Sequence, residues 1–248
     1  LSLHDALPIL IIGNVENASH GFGLTEKNYN ELKESGLDVM TSGNHIWDKR
    51  EVVQFIGNVP DLLRPYNMSD KTAGSGYGIY ESHNGYKIAV INAIGQVFMG
   101  SYDSPWNRLE NILEAVLAVT PIVFFDFHAE ATAEKLALAH YLSENGVSAF
   151  TGTHTHVQTN DARILNNKTG YITDTGFCGA HDSVIGMEKY SSIARLKDPY
   201  PVRLDVADSS VVQINATQYD IDPISGDCRT VTAISKIFDY AKLSIPVA

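Results

Sequence analysis

Cysteine, positive charge and long apolar runs are all scarce in this chain, and each scarcity closes off a class of protein. Only Cys178 and Cys228 occur, at no metal-ligand spacing. That excludes a disulfide framework and a cysteine-based zinc site, and it points to a reducing, cytoplasmic setting. Lysine and arginine number 18 against 29 acidic residues, a formal net charge of -11. Proteins that track a nucleic-acid backbone need a basic face to displace counterions, so a nucleic-acid duplex is not an expected partner. A small phosphate ester stays compatible, because bound metal cations can supply locally the charge that the surface lacks. No stretch approaches the roughly 20 apolar residues of a spanning helix, and the start lacks a basic segment followed by an apolar one. Neither membrane insertion nor secretion is expected. Internal repeats and low-complexity tracts are absent as well.

What is present is a chain of 248 residues, 44% hydrophobic and 19% charged, enough to bury a full core. With no linker in sight, one domain is the expectation. The chain opens on Leu1 without a methionine, and residues 1–9 (LSLHDALPI) read as a non-native or fragment-end segment, which leaves 10–248 as the domain.

Residues 9–12 form a short apolar run closed by Gly13, read as a buried strand leading into a loop with Glu16 and Asn17. Thr25 precedes a helical pattern with Tyr29 and Leu32 three apart, stopped by Gly36. Residues 37–40 are the next strand, ending in Thr41-Ser42-Gly43-Asn44-His45. Asp48 is expected to open a second helix with Val52, Val53 and Ile56 on one face, ended by Gly57 and Pro60. Runs 77–81 and 86–94 flank His83-Asn84-Gly85, a hairpin signal. Residues 106–119 follow helical spacing, and strand 122–127 delivers His128. Helix 131–142, stopped by Gly146, precedes strand 147–151, which leads into Gly152-Thr153-His154-Thr155-His156. From Val202 onward apolar and polar residues alternate around a turn at Asp222-Pro223 to Gly226-Asp227, read as antiparallel strands. Strand–helix units followed by β-rich segments predict an α/β fold, a layered sandwich whose sheets are covered by helices.

The informative pattern is positional. Glu16-Asn17, Asn44-His45, His128 and His154/His156 each fall at the carboxyl end of a predicted strand, where open α/β sheets place their ligand crevice. Mixed imidazole and oxygen donors suit Mn, Fe, Zn or Co better than Ca or Mg. If residues 154–156 are extended, both imidazoles leave one face and can reach two neighbouring ions. Singly, each motif has an ordinary explanation: a surface His-x-His, a hydrogen-bonded core histidine, an Asn-His turn. Together, all of these would have to coincide on one rim. His20, His83, His140 and His181 read as loop or helix-surface residues. Asp126 is expected to accept the second N–H of a metal-bound histidine, and Asp174 to do the same or to shape a turn. Arg64 and Lys49 are expected to pair with surface carboxylates.

Gly43-Asn44-His45, Asp126-Phe127-His128-Ala129-Glu130 and Gly152 to Thr159 resemble the calcineurin-like metallophosphoesterases. Glu16-Asn17-Ala18, Gly21 to Lys27, Thr41 to Asp48, Arg64-Pro65, Ala129 to Leu138 and Tyr171 to Gly176 are similar to the bacterial YmdB-type branch, 2',3'-cyclic-nucleotide phosphodiesterases. The resemblance implies an α/β/β/α sandwich and two divalent transition-metal ions, Fe or Mn ahead of Zn or Co. Glu16 would bridge them, with Asn17 and His156 on the first and Asn44, His128 and His154 on the second. His45 matches the catalytic histidine. Two metals about 3.5–4 Å apart can activate a hydroxide for attack on phosphorus, and a histidine can protonate the leaving oxygen near neutral pH. The expected function is therefore metal-dependent hydrolysis of small phosphodiesters or nucleotides, with a homo-oligomer compatible with the resemblance. A phosphomonoesterase, or a non-catalytic nucleotide-binding regulatory protein, is the alternative. One departure stands out: the family's opening strand ending in Gly-Asp-x-x-Gly has no counterpart, and Asp5 lacks its glycine context. A sandwich without its first strand and helix, and a first metal site short of one ligand, are the resulting expectations.

Overall fold

The computed structural model describes residues 10–242; the expectations for residues 1–9, Asp5 included, lie outside them. In chain order come β1 (Ile12–Asn14), α1 (Glu26–Glu34), β2 (Val39–Thr41), α2 (Val52–Phe55), β3 (Tyr77–Glu81), β4 (Lys87–Ile94), α3 (Leu109–Leu117) and β5 (Val123–His128). They are followed by α4 (Thr132–Glu144), β6 (Ala149–Thr153), β7 (Arg163–Leu165), β8 (Thr169–Ile172), β9 (Gly179–Ala180), α5 (Lys189–Lys197), β10 (Val211–Ile221) and β11 (Cys228–Asp239). The largest sheet runs β3-β4-β5-β6-β8-β7. Its inner strands pair in parallel and its two edge strands antiparallel. Two smaller sheets, β1-β2 and β11-β10-β9, complete the strand inventory of the described residues.

The two-residue period of the strands builds the layers. Ala89, Ile91 and Ala93 of β4, with Val123, Phe125 and Phe127 of β5, face α3 and α4 and pack on Leu109, Leu113, Val116, Leu138 and Leu142. The alternate residues face the other way, where Ile88, Val90 and Phe124 meet Ile12 and Val39 of the β1-β2 sheet. The β10-β11 hairpin closes over the same side: the Tyr219 hydroxyl lies 2.7 Å from Thr151 Oγ1 and donates to the Phe150 carbonyl at 3.1 Å. Tyr29 of α1 and Phe55 of α2 cover β1-β2 from outside, against Val15, Met40 and Ile46. Helix, sheet, sheet, helix is thus the order of layers, as the family resemblance implied. Each fully buried Phe or Leu contributes about 1.5–3 kcal/mol.

Helix α1 starts where expected, the Thr25 hydroxyl accepting from the Asn28 N–H, and Gly36 ends it at φ 105°. The helix expected to open at Asp48 is a correction. The chain instead makes a 3-10 turn at Ile46–Asp48, the four-residue α2, and a second 3-10 turn at Ile56–Asn58. The Asp48 carboxylate is engaged by His45 Nδ1 at 2.8 Å and is not free to cap. Val53 stands 54% exposed, so the buried face is Val52, Phe55 and Ile56. Strands β7 to β9 and helix α5 had no sequence counterpart. No helix among the described residues is long and apolar enough to cross a membrane.

Candidate metal centre

All seven predicted site residues gather at one end of the strands. Glu16 and Asn17 follow β1, Asn44 and His45 follow β2, His128 is the last residue of β5, and His154 comes directly after β6. Because β1 pairs in parallel with β2 and β5 with β6, these four carboxyl ends deliver side chains to a common rim.

The centre is His128 Nε2. It lies 3.1 Å from Glu16 Oε1, 2.8 Å from Asn44 Oδ1 and 3.1 Å from His154 Nδ1. The donor atoms of Glu16, His128 and His154 all lie within 4.8 Å of one another. A second group adjoins it: Asn17 Nδ2 is 3.2 Å from His156 Nε2 and donates to Glu16 Oε1 at 3.3 Å. Glu16 therefore touches both groups. His45 joins through its backbone, whose N–H donates to Glu16 Oε2 at 2.9 Å. Its ring is held by Asp48 and by an edge contact with Phe22, centroids 5.2 Å apart.

The hydrogen-bond chain behind His128 fixes its tautomer. Thr153 Oγ1 donates to Asp126 Oδ1 at 2.8 Å, so towards His128 Nδ1, 3.1 Å away, it can only accept. The neutral imidazole then carries its proton on Nδ1 and presents a bare lone pair at Nε2. That lone pair faces an oxygen of Glu16, the Asn44 carbonyl oxygen and a histidine nitrogen, with no proton to share. Asn17 Oδ1 is likewise buried without a hydrogen-bond partner, a costly arrangement in protein alone. An excess of converging acceptors is what a divalent cation satisfies, and a mixed N/O set suits transition metals; the residues fit a metal.

Electrostatics point the same way. Burial alone would raise the Glu16 carboxyl; a positive charge and a donor on the His128 side, with the His45 N–H, outweigh it and hold it at about 2, and a cation between the two side chains would take that same place. Burial, then positive charge at the neighbouring His128, lowers His154 to about 4; Glu130 Oε2, 3.2 Å from His154 Nε2, keeps the remaining proton on Nε2 and leaves Nδ1 available. Gly43 makes the close approach possible, for an added Cβ would overlap the His128 ring at Nε2 and sit 2.5 Å from Glu16 Oε2.

Several expectations need correcting. Residues 154–156 are not extended: His154 has φ 107° and His156 φ 63°, so the two rings separate, one to each group. The loop is pinned from behind. Asp174 accepts from the Thr155 N–H at 3.0 Å, from the Gly176 N–H at 2.9 Å and from Lys135 Nζ at 2.9 Å, and both members of that ion pair are fully buried. Asp174 thus serves backbone, not an imidazole. Asp126 acts on His128 through Thr153, and it also accepts from Thr41 and Asn14. Arg64 is buried and donates to the carbonyls of Pro65, Thr72 and Ala73 instead of pairing with a carboxylate. Missed entirely were Lys135, Thr153 and Glu130, whose Oε2 lies 3.2 Å from His154 Nε2. The Asp-x-His-x-Glu spacing at 126–130 was the available signal for Glu130. His20, His83, His140 and His181 are exposed, as expected.

Comparison with known proteins agrees with the geometry. A family model described as YmdB-like protein matches residues 3–234. A 2',3'-cyclic-nucleotide 2'-phosphodiesterase of Bacillus subtilis (strain 168) is 46% identical over 215 residues, 87% of this chain and 80% of that protein. A solved structure of a hypothetical protein from Thermus thermophilus superposes with a TM-score of 0.86 at 35% identity, covering 93% of this chain and 88% of that one. The structure of a novel phosphatase from Mycoplasma pneumoniae gives 0.83 at 31%, covering 95% and 85%. On sequence and fold together, the chain belongs to the YmdB-like protein family.

Proposed function

We propose that this chain, a phosphoesterase, hydrolyses small phosphodiesters of the 2',3'-cyclic-nucleotide class at the rim carrying Glu16 and His128. The observation that carries the reading is the set of lone pairs converging on His128 Nε2 without a proton among them. Asn44, His128 and His154 would hold one cation and Asn17 and His156 another, with Glu16 between them. Such cations, Fe or Mn ahead of Zn or Co, would supply positive charge to the phosphoryl oxygens and a water-derived nucleophile at neutral pH. A positive charge opposite Glu16 favours its ionised form, and burial favours neutral His154. The Thr153 and Asp126 chain keeps His128 in the ligating tautomer.

His45 sits beside this cluster with its ring oriented by Asp48, and we assign it the proton donor's role. Water adds to phosphorus, one P–O bond breaks, and the departing sugar oxygen takes its proton from the imidazole. The contributions of β1, β2, β5 and β6 to one rim support treating residues 10–248 as a single domain. The reading is tested by comparing manganese-supplemented protein on 2',3'-cyclic AMP, 5'-AMP and 4-nitrophenyl phosphate. Preference for the cyclic diester, abolished by chelation, is expected; faster turnover of 5'-AMP would replace it with a monoesterase, and inertness on all three would sink it.

A further inference from the structure

A cavity of about 600 Å³ is lined among others by Trp47, Met68, Lys71, Ser101, Tyr102 and Asp103, and three of these, Trp47, Met68 and Tyr102, pack in one apolar group with Val15 and Ile46, the sequence neighbours of Glu16 and His45. That volume falls within the roughly 300–1,000 Å³ of small-molecule sites. Its position follows from the chain. Trp47 is two residues beyond His45, in the same 3-10 turn. The loop that brings Ser101, Tyr102 and Asp103 to the cavity leaves β4 at Gly95, whose N–H donates to the His128 carbonyl at 2.9 Å. Burial, then the negative charges of Glu16 and Asp48, push the Tyr102 phenol upward, so this wall lies within the electrostatic reach of both the cluster and the turn that orients His45.

The cavity is built, not incidental. The Asn67 amide donates to the carbonyls of Ile94 and Asp103, both at 2.7 Å, and accepts from the Ile94 N–H. The Gln96 amide holds the Tyr102 carbonyl at 2.8 Å, while the N–H groups of Gln96 and Val97 are fixed by Glu134. The Trp47 indole N–H donates to Met68 Sδ at 3.2 Å, which sets the indole plane. By contrast, the side chains of Lys71, Ser101 and Asp103 make no hydrogen bond or ion pair among the described residues. Two aromatic rings, a thioether and uncommitted polar groups are the equipment for stacking a flat heteroaromatic ring and reading its edge.

We propose that this cavity is a nucleobase subsite: the base stacks on Trp47 and Tyr102, and the Asp103 carboxylate accepts from an exocyclic amino group while the phosphodiester reaches the cluster. Only the delivery of the phosphodiester to the cluster rests on the phosphodiesterase reading; the base contacts do not. Trp47 and Trp106 are the two tryptophans of the chain, so a Trp106→Phe background leaves Trp47 as the sole fluorophore of its kind. In that metal-replete protein, adenosine is expected to quench Trp47 saturably and 1-O-methylribose is not. Adding Tyr102→Ala is expected to weaken adenosine at least about tenfold, and Asp103→Asn, an exposed change, to narrow the preference for adenosine over uridine.

Turnover gives the second readout. Tyr102→Ala is expected to lower, at least about tenfold, the ratio of kcat/KM for 2',3'-cyclic AMP to that for the base-free 1-O-methylribose 2',3'-cyclic phosphate. A ratio unmoved by Tyr102→Ala, together with quenching that is absent or equal for the two sugars, would overturn the subsite while leaving hydrolysis intact. Saturable, Tyr102-dependent quenching without hydrolysis of either cyclic phosphate would support the subsite and remove the phosphodiesterase reading.

Discussion

Replacing Asp174 by alanine tests whether the metal rim is held from inside the protein. Asp174 and Lys135 are both fully buried and 2.9 Å apart, so the substitution leaves an ammonium in the core with no counter-charge. Breaking a buried pair from one side costs about 3–5 kcal/mol, out of a total stability of roughly 5–15 kcal/mol. For a chain of this size that is a Tm lower by about 6–20 °C. The N–H groups of Thr155 and Gly176 lose their acceptor in the same step. With nothing holding Thr155, His154 and His156 can leave their positive φ values, and metal affinity should fall about 10–100-fold, as it does when groups supporting a ligand are removed. Urea denaturation of metal-free protein measures the first effect, and calorimetric titration with manganese the second. The double variant Lys135→Met with Asp174→Asn removes the stranded charge and keeps an amide oxygen for the backbone, so it should recover at least half of the lost stability. A single variant that loses under about 1 kcal/mol, or a double variant as unstable as the single, would refute the argument from burial.

The remaining expectations concern the rim itself. Gly43→Ala should leave the fold recognisable by circular dichroism yet lose tight metal binding, because its Cβ would overlap the His128 ring; a variant that retains wild-type manganese affinity would contradict the close packing. His45→Ala should lower kcat on 2',3'-cyclic AMP by about 10²–10⁴, but far less on a diester that releases 4-nitrophenolate, which needs little protonation; equal losses would remove His45 as proton donor. In metal-free protein His154 titrates at about 4 against 6.5 for the free side chain. The unfolded chain therefore binds the extra proton first, and stability should fall as pH drops from about 6.5 to 4, by at most about 3 kcal/mol. Denaturation curves across that window should flatten in His154→Leu.

The gathering of these residues at one rim was legible because strand-end position is a sequence property. An apolar run that stops at a small residue followed by Asn, His or Glu marks a carboxyl end, and four of them meet at one rim. The layering was legible for a similar reason, since the Asn-Gly turn between runs 77–81 and 86–94, alternation from Val202 onward and helical spacing in 106–119 are local signals. The turn after His45 was not, because Asp48 has two possible uses, cap or histidine partner, and only the tertiary structure decides between them. The left-handed backbone of His154 and His156 was equally hidden. Non-glycine residues seldom adopt it, and here its cause is Asp174, distant in sequence. Arg64 misled for a related reason: its donors go to three backbone carbonyls, which carry no residue-specific signature. Helix α5, with Ile193 and Leu196 exposed, offers no buried stripe for periodicity to detect.

The two central imidazoles approach the cluster by different ring atoms, His128 through Nε2 and His154 through Nδ1. Their nearest carboxamide mimics therefore differ in chain length, since the oxygen of glutamine reaches about as far as Nε2 and that of asparagine about as far as Nδ1. Exchanging the pair, Gln at 128 with Asn at 154, should keep a weak but competent oxygen-rich pocket that leans towards manganese over zinc, whereas the reverse assignment should leave one donor short and the other crowded.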